Sequence, residues 1–463
     1  MRVKIKKLDT IANHKYARCD CKFWKIKERI PFNNFVRLKE LFHIISGSVQ
    51  TENYSDVITS IPYIRISDID YKFGISKNNI IYLSEDSKIA DNKILKENDL
   101  VLATIGTVGK IGMAGDCVGG THSNNTVILR PKTDEINVKF YEKLFQSDFY
   151  IKYIFGIAAQ KAQPNLQDYE IKNILLPVIN KTIIEQAVKN FEPIENEIQS
   201  FKLTIKPTQT IIDEVFKKEF HFDYHRFEEL KKISRFDTAI ADFSNNPDLR
   251  FSAKFHRSAG EFVKQELAKI TDKKIKHFLA EPIVLGASVS PSDYDENGGY
   301  HYLSMATIKD WNYNKEEAQL VSNVYALSKE DKKIRKNDLI LARSGEGTIG
   351  KVALIEDEDV KAVFADFTMR IRLQNYNFKF AYYFMRSMYF QYLIEIYKKG
   401  LGNNTNIFPV VIKEFPLPDI SLTEQDRIVN EIQSEIDKQT EIKNKITDLR
   451  NKIDDIIEKT IQE

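Results

Sequence analysis

One stretch of this chain occurs twice. KENDLVLATIGTVGK (96–110) returns as RKNDLILARSGEGTIGK (335–351). With two residues inserted after Gly345, nine of fifteen positions are identical: Asn98, Asp99, Leu100, Leu102, Ala103, Gly106, Thr107, Gly109 and Lys110. The offset is 239 residues before the insertion and 241 after it. That is far beyond the period of a solenoid, so the chain carries a duplicated domain. Each copy reads as a short apolar strand (Leu100–Ala103, Leu339–Ala342), a Gly-rich turn and a second β-branched run (Lys110–Met113, Lys351–Leu354). This is a hairpin whose glycines allow positive φ and close backbone approach.

A phosphate-binding loop is the rival reading of the same residues. GEGTIGK (345–351) fills the first seven positions of G-x-x-x-x-G-K-[ST] and follows a strand. Val352 stands in the eighth, where magnesium needs a hydroxyl, and VALIE continues as strand where that loop opens a helix. The first copy has Thr104 in place of the first glycine. The hairpin reading is kept.

A length of 463 residues allows two to four domains, and the repeat selects two. With 42% hydrophobic and 29% charged residues the chain has ordinary globular composition. No run of eighteen apolar residues occurs, so no membrane partner is expected. MRVKIKKLDT lacks the apolar core of a secretory signal, and three cysteines argue for a reducing, cytoplasmic setting rather than a disulfide framework. Cys19 and Cys21 hint at a metal. Yet RCDCKF (18–23) aligns with RFSAKF (250–255), where Phe251 and Ala253 replace them, so they read as structural. With 68 basic and 66 acidic residues, any affinity for nucleic acid must come from local clustering.

Along the chain, Phe35–Ile45 has helical apolar spacing, echoed by Val263–Ile270. Tyr63–Ile69 and Tyr302–Ile308 alternate as half-buried strands do. After each hairpin come a strand (Thr126–Arg130, Thr368–Arg372) and an aromatic segment of helical period (Phe140–Phe155, Phe380–Tyr397), whose stripe is expected to be core. An amide-rich loop follows in both copies, Ala159–Leu166 and Leu401–Ile407. Each copy closes on a strand-like run stopped by proline (Ile171–Pro177, Ile412–Pro418). Asp223–Ile233 reads as a charged helix, and Asn245 to Pro247 as a turn. Beyond the second copy, apolar residues at 428, 432, 442, 446, 449, 453 and 456 form a heptad seam. A helix of roughly 60 Å would expose that seam without a partner. The stripe at 184, 187, 191, 194, 198, 201 and 205 supplies one, interrupted at Pro207.

Catalytic constellations are missing. NPDL (246–249) lacks the second proline and the aromatic of an amino-methyltransferase motif. Pro418-Asp419 with Glu441 and Lys443 fits a nuclease pattern only by placing two members in the heptad helix. His221 and His225 lack the glutamate of a zinc protease, Phe222 standing in its place.

The order of these features resembles the DNA-specificity (S) subunit of type I restriction-modification systems. The likeness rests on R-x-x-x-K-F, on N-D-L-[VI]-L-A…G-T-[VI]-G-K, on I-K-x-[IF]-x-L-P and on [TI]-x-E-Q opening a long helix, and it covers nearly the whole chain. It departs in the first copy's ending, LPVI (176–179), which has a single proline, and at Pro207. The resemblance implies a mixed α/β (α+β) fold of two tandem target recognition domains separated by two long antiparallel helices that form a coiled coil. The expected boundaries are 1–180 and 236–421 for the domains, with helical regions at 181–235 and 422–463. It implies double-stranded DNA as ligand, each repeat reading half of a split target, and two methyltransferase (M) subunits and restriction (R) subunits as partners. Those partners would use S-adenosylmethionine, ATP and magnesium; this chain is expected to bind no cofactor and to catalyse nothing.

The candidate DNA contacts follow from the differing polar residues of two similar copies. In the first they are Arg65, Thr104, Thr107, Lys110, Asn124, Asn125, Gln163 and Asn165. In the second they are Arg343, Ser344, Glu346, Thr348, Lys351, Arg370, Asn403, Asn404 and Asn406. Arginine suits guanine, the amides suit adenine and glutamate suits the cytosine amino group, while lysines more often hold phosphate. A self-contained methyltransferase or nuclease, and a scaffold bridging two proteins without touching DNA, are the alternatives. Methylation by the chain alone would select the first, and absence of base contacts the second.

Overall fold

The computed structural model describes residues 30, 34–48, 54–55, 60–76, 80–159, 163–244, 250, 252–308, 310–345, 347–400 and 404–462. Cys19, Cys21, Phe251 and the turn at Asn245 to Pro247 lie outside these residues. The chain forms two compact units, Met1–Ile205 with Ile442–Glu463, and Lys206–Glu441.

In the first unit, β1 (Phe35–Arg37) and β2 (Phe42–Ser46) flank a single helical turn, Leu38–Leu41. The helix expected over Phe35–Ile45 is therefore a strand, a turn and a strand. Leu38 and Phe42 are buried as that spacing requires, but one turn of helix between two strands satisfies it equally well. β3 (Ile61–Ile64), β4 (Leu100–Ala103), β5 (Ile111–Met113), β6 (Thr121–His122) and β7 (Thr126–Pro131) follow. They build two sheets, one of order β2-β7-β4-β5, and one in which β3 runs parallel to β6. The strand expected to run through Ile69 stops at Ile64, because the Asp68 carboxylate takes the Arg65 N–H and bends the chain into a 3-10 turn. α1 (Val138–Gln146) and α2 (Asp148–Ile157) divide the aromatic segment at Ser147, whose hydroxyl caps α2 through the Tyr150 N–H. The expected closing strand shortens to β8 (Leu175–Pro177), paired antiparallel with β1.

α3 (Lys181–Thr204) is the long helix that follows, and it ends just before Pro207, the residue expected to interrupt it. Ile205 is extended, and Pro207 caps a new helix, α4 (Thr208–Phe220). The proline cannot donate to the preceding turn, and the boundary between the units falls at the same break. α5 (Tyr224–Lys232) and α6 (Ser258–Ile270) come next, α5 capped by Asp223.

The second unit repeats the first sheet strand for strand. β9 (Val284–Leu285), β10 (Tyr300–Leu303), β11 (Leu339–Ala342), β12 (Val352–Leu354), β13 (Ala362–Phe364) and β14 (Thr368–Ile371) give the order β9-β14-β11-β12, with β10 parallel to β13. The counterpart of β2 is thus β9, and the echo placed at Val263–Ile270 belongs instead to α6. Gly47 and Gly286 mark the true register. A Cβ on either would lie 2.0–2.2 Å from the carbonyl oxygen of Ser123 or of Phe364 and Ala365, so only glycine lets the two chains pass. The second expected closing strand, Ile412–Pro418, begins as the helical turn Pro409–Ile412 and keeps only an isolated bridge from Pro416 to Lys274. α7 (Phe378–Arg386) and α8 (Met388–Tyr397) meet at the capping Ser387, and α9 (Leu422–Thr460) closes the fold.

The residues shared by the two motifs are chiefly architectural. Asn98 (φ 66°) and Asn337 (φ 71°) occupy the left-handed region that asparagine tolerates. This turn presents Asp99, fully buried, to Arg130 of β7 at 2.9 and 2.7 Å. Asp338 receives Arg372 at 2.6 and 2.7 Å in the same way. LVLA and LILA are buried on both faces of the sheet, and each large side chain so buried contributes about 1.5–3 kcal/mol.

The aromatic stripe is core. Phe140, Phe145 and Tyr150 pack in one unit, and Phe380, Phe384 and Tyr389 in the other, all fully buried. In the second unit α4 runs antiparallel to the start of α9. Lys206 meets Gln439, Lys218 meets Glu431, and Glu219 pairs with Arg427. Ile446, Leu449, Ile453 and Ile457 of α9 join the core of the first unit with Ile184, Phe191 and Ile198 of α3.

Candidate nucleic-acid interface

In each unit the sheet delivers three loops to one end: the hairpin tip, the turn before the last strand, and the amide-rich loop. Backbone hydrogen bonds lock them together. In the first unit Thr104 N–H donates to the Asn125 carbonyl (2.9 Å), Gly106 N–H to Pro164 (2.9 Å) and Leu166 N–H to Thr104 (2.8 Å). In the second, Arg343 N–H donates to Phe367 (3.0 Å), Gly345 N–H to Thr405 (3.3 Å) and Ile407 N–H to Arg343 (2.9 Å). The tips therefore stand on the same rigid frame, and their side chains decide what each displays.

The first tip is small and polar. Thr107, Asn124 and Gln163 are exposed, and Asn125 and Asn165 half-buried. Gln163 lies against the tip, its Nε2 at 3.0 Å from where a Gly106 Cβ would be. Thr104 is turned inward, its hydroxyl donating to the Asn125 carbonyl at 3.1 Å. Lys110 Nζ sits 5.6 Å over the ring of Tyr71. Arg65 borders the tip, and Asp68 grips its guanidinium through two hydrogen bonds of 3.1 and 2.9 Å. That carboxylate raises the Arg65 pKa further above its ordinary value.

The second tip is built around a cation. Arg343 donates Nε–H to the Asp366 carbonyl (2.8 Å) and Nη1–H to Asn406 Oδ1 (3.1 Å), with Phe408 5.9 Å from the guanidinium. Asn406 in turn donates to the Asn404 carbonyl at 3.1 Å, and Asn404 is exposed. The hydroxyls of Ser344 and Thr348 are spent on backbone carbonyls at 3.1 and 3.0 Å. Lys351 is half-buried at the foot of the hairpin. Glu346 and Asn403 lie outside the described residues.

Arg370 is not at the tip. It is 5% exposed and bonds the carbonyls of Asp331 (3.1 Å) and Lys333 (2.7 Å) and the carboxylate of Glu281. A cation so enclosed holds the sheet's flank together and offers nothing to a ligand.

Two tip residues escaped sequence reasoning. Phe408, 39% exposed, lies 5.9 Å from the Arg343 guanidinium, and Phe367, 47% exposed, accepts the Arg343 N–H on its carbonyl. Phe367 stands where the first unit has Asn125, each following the exposed turn before the last strand. A motif-by-motif comparison of the two copies across that turn could have shown the exchange. Among the described residues no group of His, Cys, Asp or Glu could hold a metal ion, and no helix is long and apolar enough to cross a membrane.

The family model for the type I restriction modification DNA specificity domain matches this chain twice, over residues 33–206 and 282–449. No curated protein matches. Among solved structures, a chain described under complex assembly and conformational transition of the type I R-M system aligns with 94% of this chain and 98% of its own length. Its identity is 14% and its TM-score 0.48. The type I S subunit from M. genitalium covers 93% and 96%, at 11% identity and TM-score 0.40. The HsdS subunit from Thermoanaerobacter tengcongensis covers 93% and 96%, at 14% identity and TM-score 0.31.

Proposed function

This chain belongs to the type I restriction-modification DNA specificity family, and from that premise we propose that its two tips read the two halves of a split DNA target. The chain is a non-catalytic specificity subunit. One observation supports the division of labour: two loop frames with matching backbone bonds display different chemistry, amides and a threonine on one, a held arginine beside Phe408 on the other. Arg343 is the guanine reader, its fork aimed by Asp366 and Asn406. Gln163, Asn124 and Asn125 are the adenine readers, and Lys110 and Lys351 bind phosphate. Arg370, Ser344 and Thr104 are taken out of the reading set because their donors serve the fold.

Two methyltransferase subunits dock on the helical regions at 181–235 and 422–463 and supply S-adenosylmethionine chemistry; restriction subunits supply ATP-driven cleavage with magnesium. The recognition domains span 1–180 and 236–421. Because net charge is only +2, tight DNA binding requires the partners, whose own cations lengthen the phosphate footprint. The test is DNA affinity against salt for the chain alone and with its methyltransferase. A steeper salt dependence and sequence preference appearing only in the complex is the expected result. Methylation by the chain alone would overturn the reading.

A further inference from the structure

The second unit has an open cavity of about 620 Å³. Its wall is formed by α4, α5 and α8 together with Trp311, and two of its polar atoms are buried without a hydrogen-bond partner: Arg386 Nε and Gln209 Oε1. Arg386 is 7% exposed. Its Nη1 donates to Tyr382 Oη at 2.6 Å, and its guanidinium lies 5.1 Å from the rings of both Trp311 and Tyr382. Gln209 spends its Nε2 on Asp213 (3.1 Å) and on the Arg386 carbonyl (2.7 Å), which fixes Oε1 as the unused acceptor. Trp311 is held at φ 66°, a conformation costly for a bulky residue. Tyr382 pins it there by donating to its carbonyl at 2.8 Å.

The first unit carries an ion network at the start of the matching helix, α2. Asp213 accepts the Met388 N–H at the start of α8 (2.7 Å). Asp454 stands at the start of α2 through Lys72, whose Nζ reaches Asp148 at 2.6 Å and Asp454 at 2.5 Å. Arg450, four residues before Asp454 as Gln209 is before Asp213, lies 3.1 Å from that carboxylate. The second unit has Trp311 and Met388 at the positions of Lys72 and Asp148, offset by 239 and 240 residues, so it cannot form the same ion network.

The lining selects a ligand class. Lys231, Lys254, Arg257 and Arg386 line it with two carboxylates, Asp213 and Glu395; Lys254 is paired with Glu395 at 2.5 Å and Lys231 with Glu228 at 2.8 Å, so the excess positive charge comes from Arg257 and Arg386. Trp311, Tyr392 and Phe227 give it flat apolar walls. A cavity of this size, largely apolar with a few convergent polar groups, is what small ligands occupy.

We propose that this cavity binds a small planar anion of the nucleoside-phosphate class, its ring beside Trp311 with polar edge atoms on Arg386 Nε–H and Gln209 Oε1, and its phosphate toward Lys254 and Arg257. The site is independent of the DNA-reading tips. It is tested on the full chain carrying Trp24→Phe, which leaves Trp311 as the one fluorescent tryptophan of two. Titration with adenosine 5′-monophosphate should quench Trp311 saturably, with a dissociation constant below about 1 mM. Adenosine alone and inorganic phosphate alone should each bind at least tenfold more weakly.

Gln209→Glu, which adds a carboxylate beside Asp213, and Lys254→Ala, at an exposed position, should each weaken the response tenfold while the melting temperature holds. Arg386→Gln should abolish it, and the two milder variants keep the test decisive if that chain does not fold. No saturable quenching overturns the proposal. So does an equal response to inorganic phosphate, which would mark an adventitious ion only. A Trp311 response only on adding the methyltransferase subunit would make the cavity a protein contact, and also overturns it.

Discussion

The two tips differ in how their side chains are held. In the first unit the amides of Gln163 and Asn124 extend from the loop frame, exposed. In the second, Arg343 is fixed on two acceptors and set beside Phe408 before any ligand arrives. Pre-aimed groups lose less entropy on binding than mobile ones. The second tip should therefore discriminate sharply at one base position, and the first more gently over several.

The frame beneath the tips is where substitution should cost most. Asp99→Asn and Asp338→Asn each remove the buried carboxylate that holds a half-buried arginine, Arg130 or Arg372, a loss of about 1–3 kcal/mol. Hydrogen exchange followed separately in the two units should show each substitution loosening its own sheet only. Gly286→Ala, whose Cβ would meet two carbonyl oxygens at 2.2 Å, should cost about 3 kcal/mol through overpacking. Equal loosening of both units by any of these would show that the frames are not independent.

Acid should separate the units next. His122 is buried in the first, its Nδ1 2.9 Å from Thr126 Oγ1, and burial together with Lys93 and Arg130 lowers its pKa to about 4. Phe364 holds the corresponding register in the second, against Leu303 as His122 is against Ile64. The unfolded histidine protonates near pH 6.5 and the folded one near 4, so the unfolded state binds the extra proton between those values. Stability of the first unit is full above about 6.5 and falls as pH drops toward 4, by on the order of 3 kcal/mol. His122→Phe should flatten that dependence; an unchanged acid profile would assign it to other groups.

At the tips the effects are smaller. Arg343→Ala should weaken specific binding by about 1–3 kcal/mol and relax one base position of one half-site. Asn406→Ala should do part of the same by freeing the guanidinium. Lys351→Ala should lower affinity for all sequences alike, by about 1 kcal/mol or less. If Arg343→Ala also acts uniformly on all sequences, the arginine is a phosphate contact and the contrast between tips fails.

Much of the frame was legible in the chain because it rests on local rules. The L-[VI]-L-A run reads as a wholly apolar strand, and it stands in both units buried on both faces where the repeat put it. Pro207 announced the helix break for an equally local reason. Phe35–Ile45 misled because a turn of helix between strands imitates a helical period. Arg370 misled because a strand sequence does not say which arginine is enclosed by a distant Glu281. Phe367 and Phe408 were hidden because their neighbourhood with Arg343 is made by three loops far apart in sequence.

The central claim is that each tip reads its own half of the target. Replacing the second tip's reading residues together, Arg343, Phe367, Asn404, Asn406 and Phe408, by those of another specificity subunit and sequencing the methylated sites of a host carrying the methyltransferase tests it directly. The account predicts that one half of the methylated sequence changes while the other half is kept. Alteration of both halves, or of neither, would contradict it.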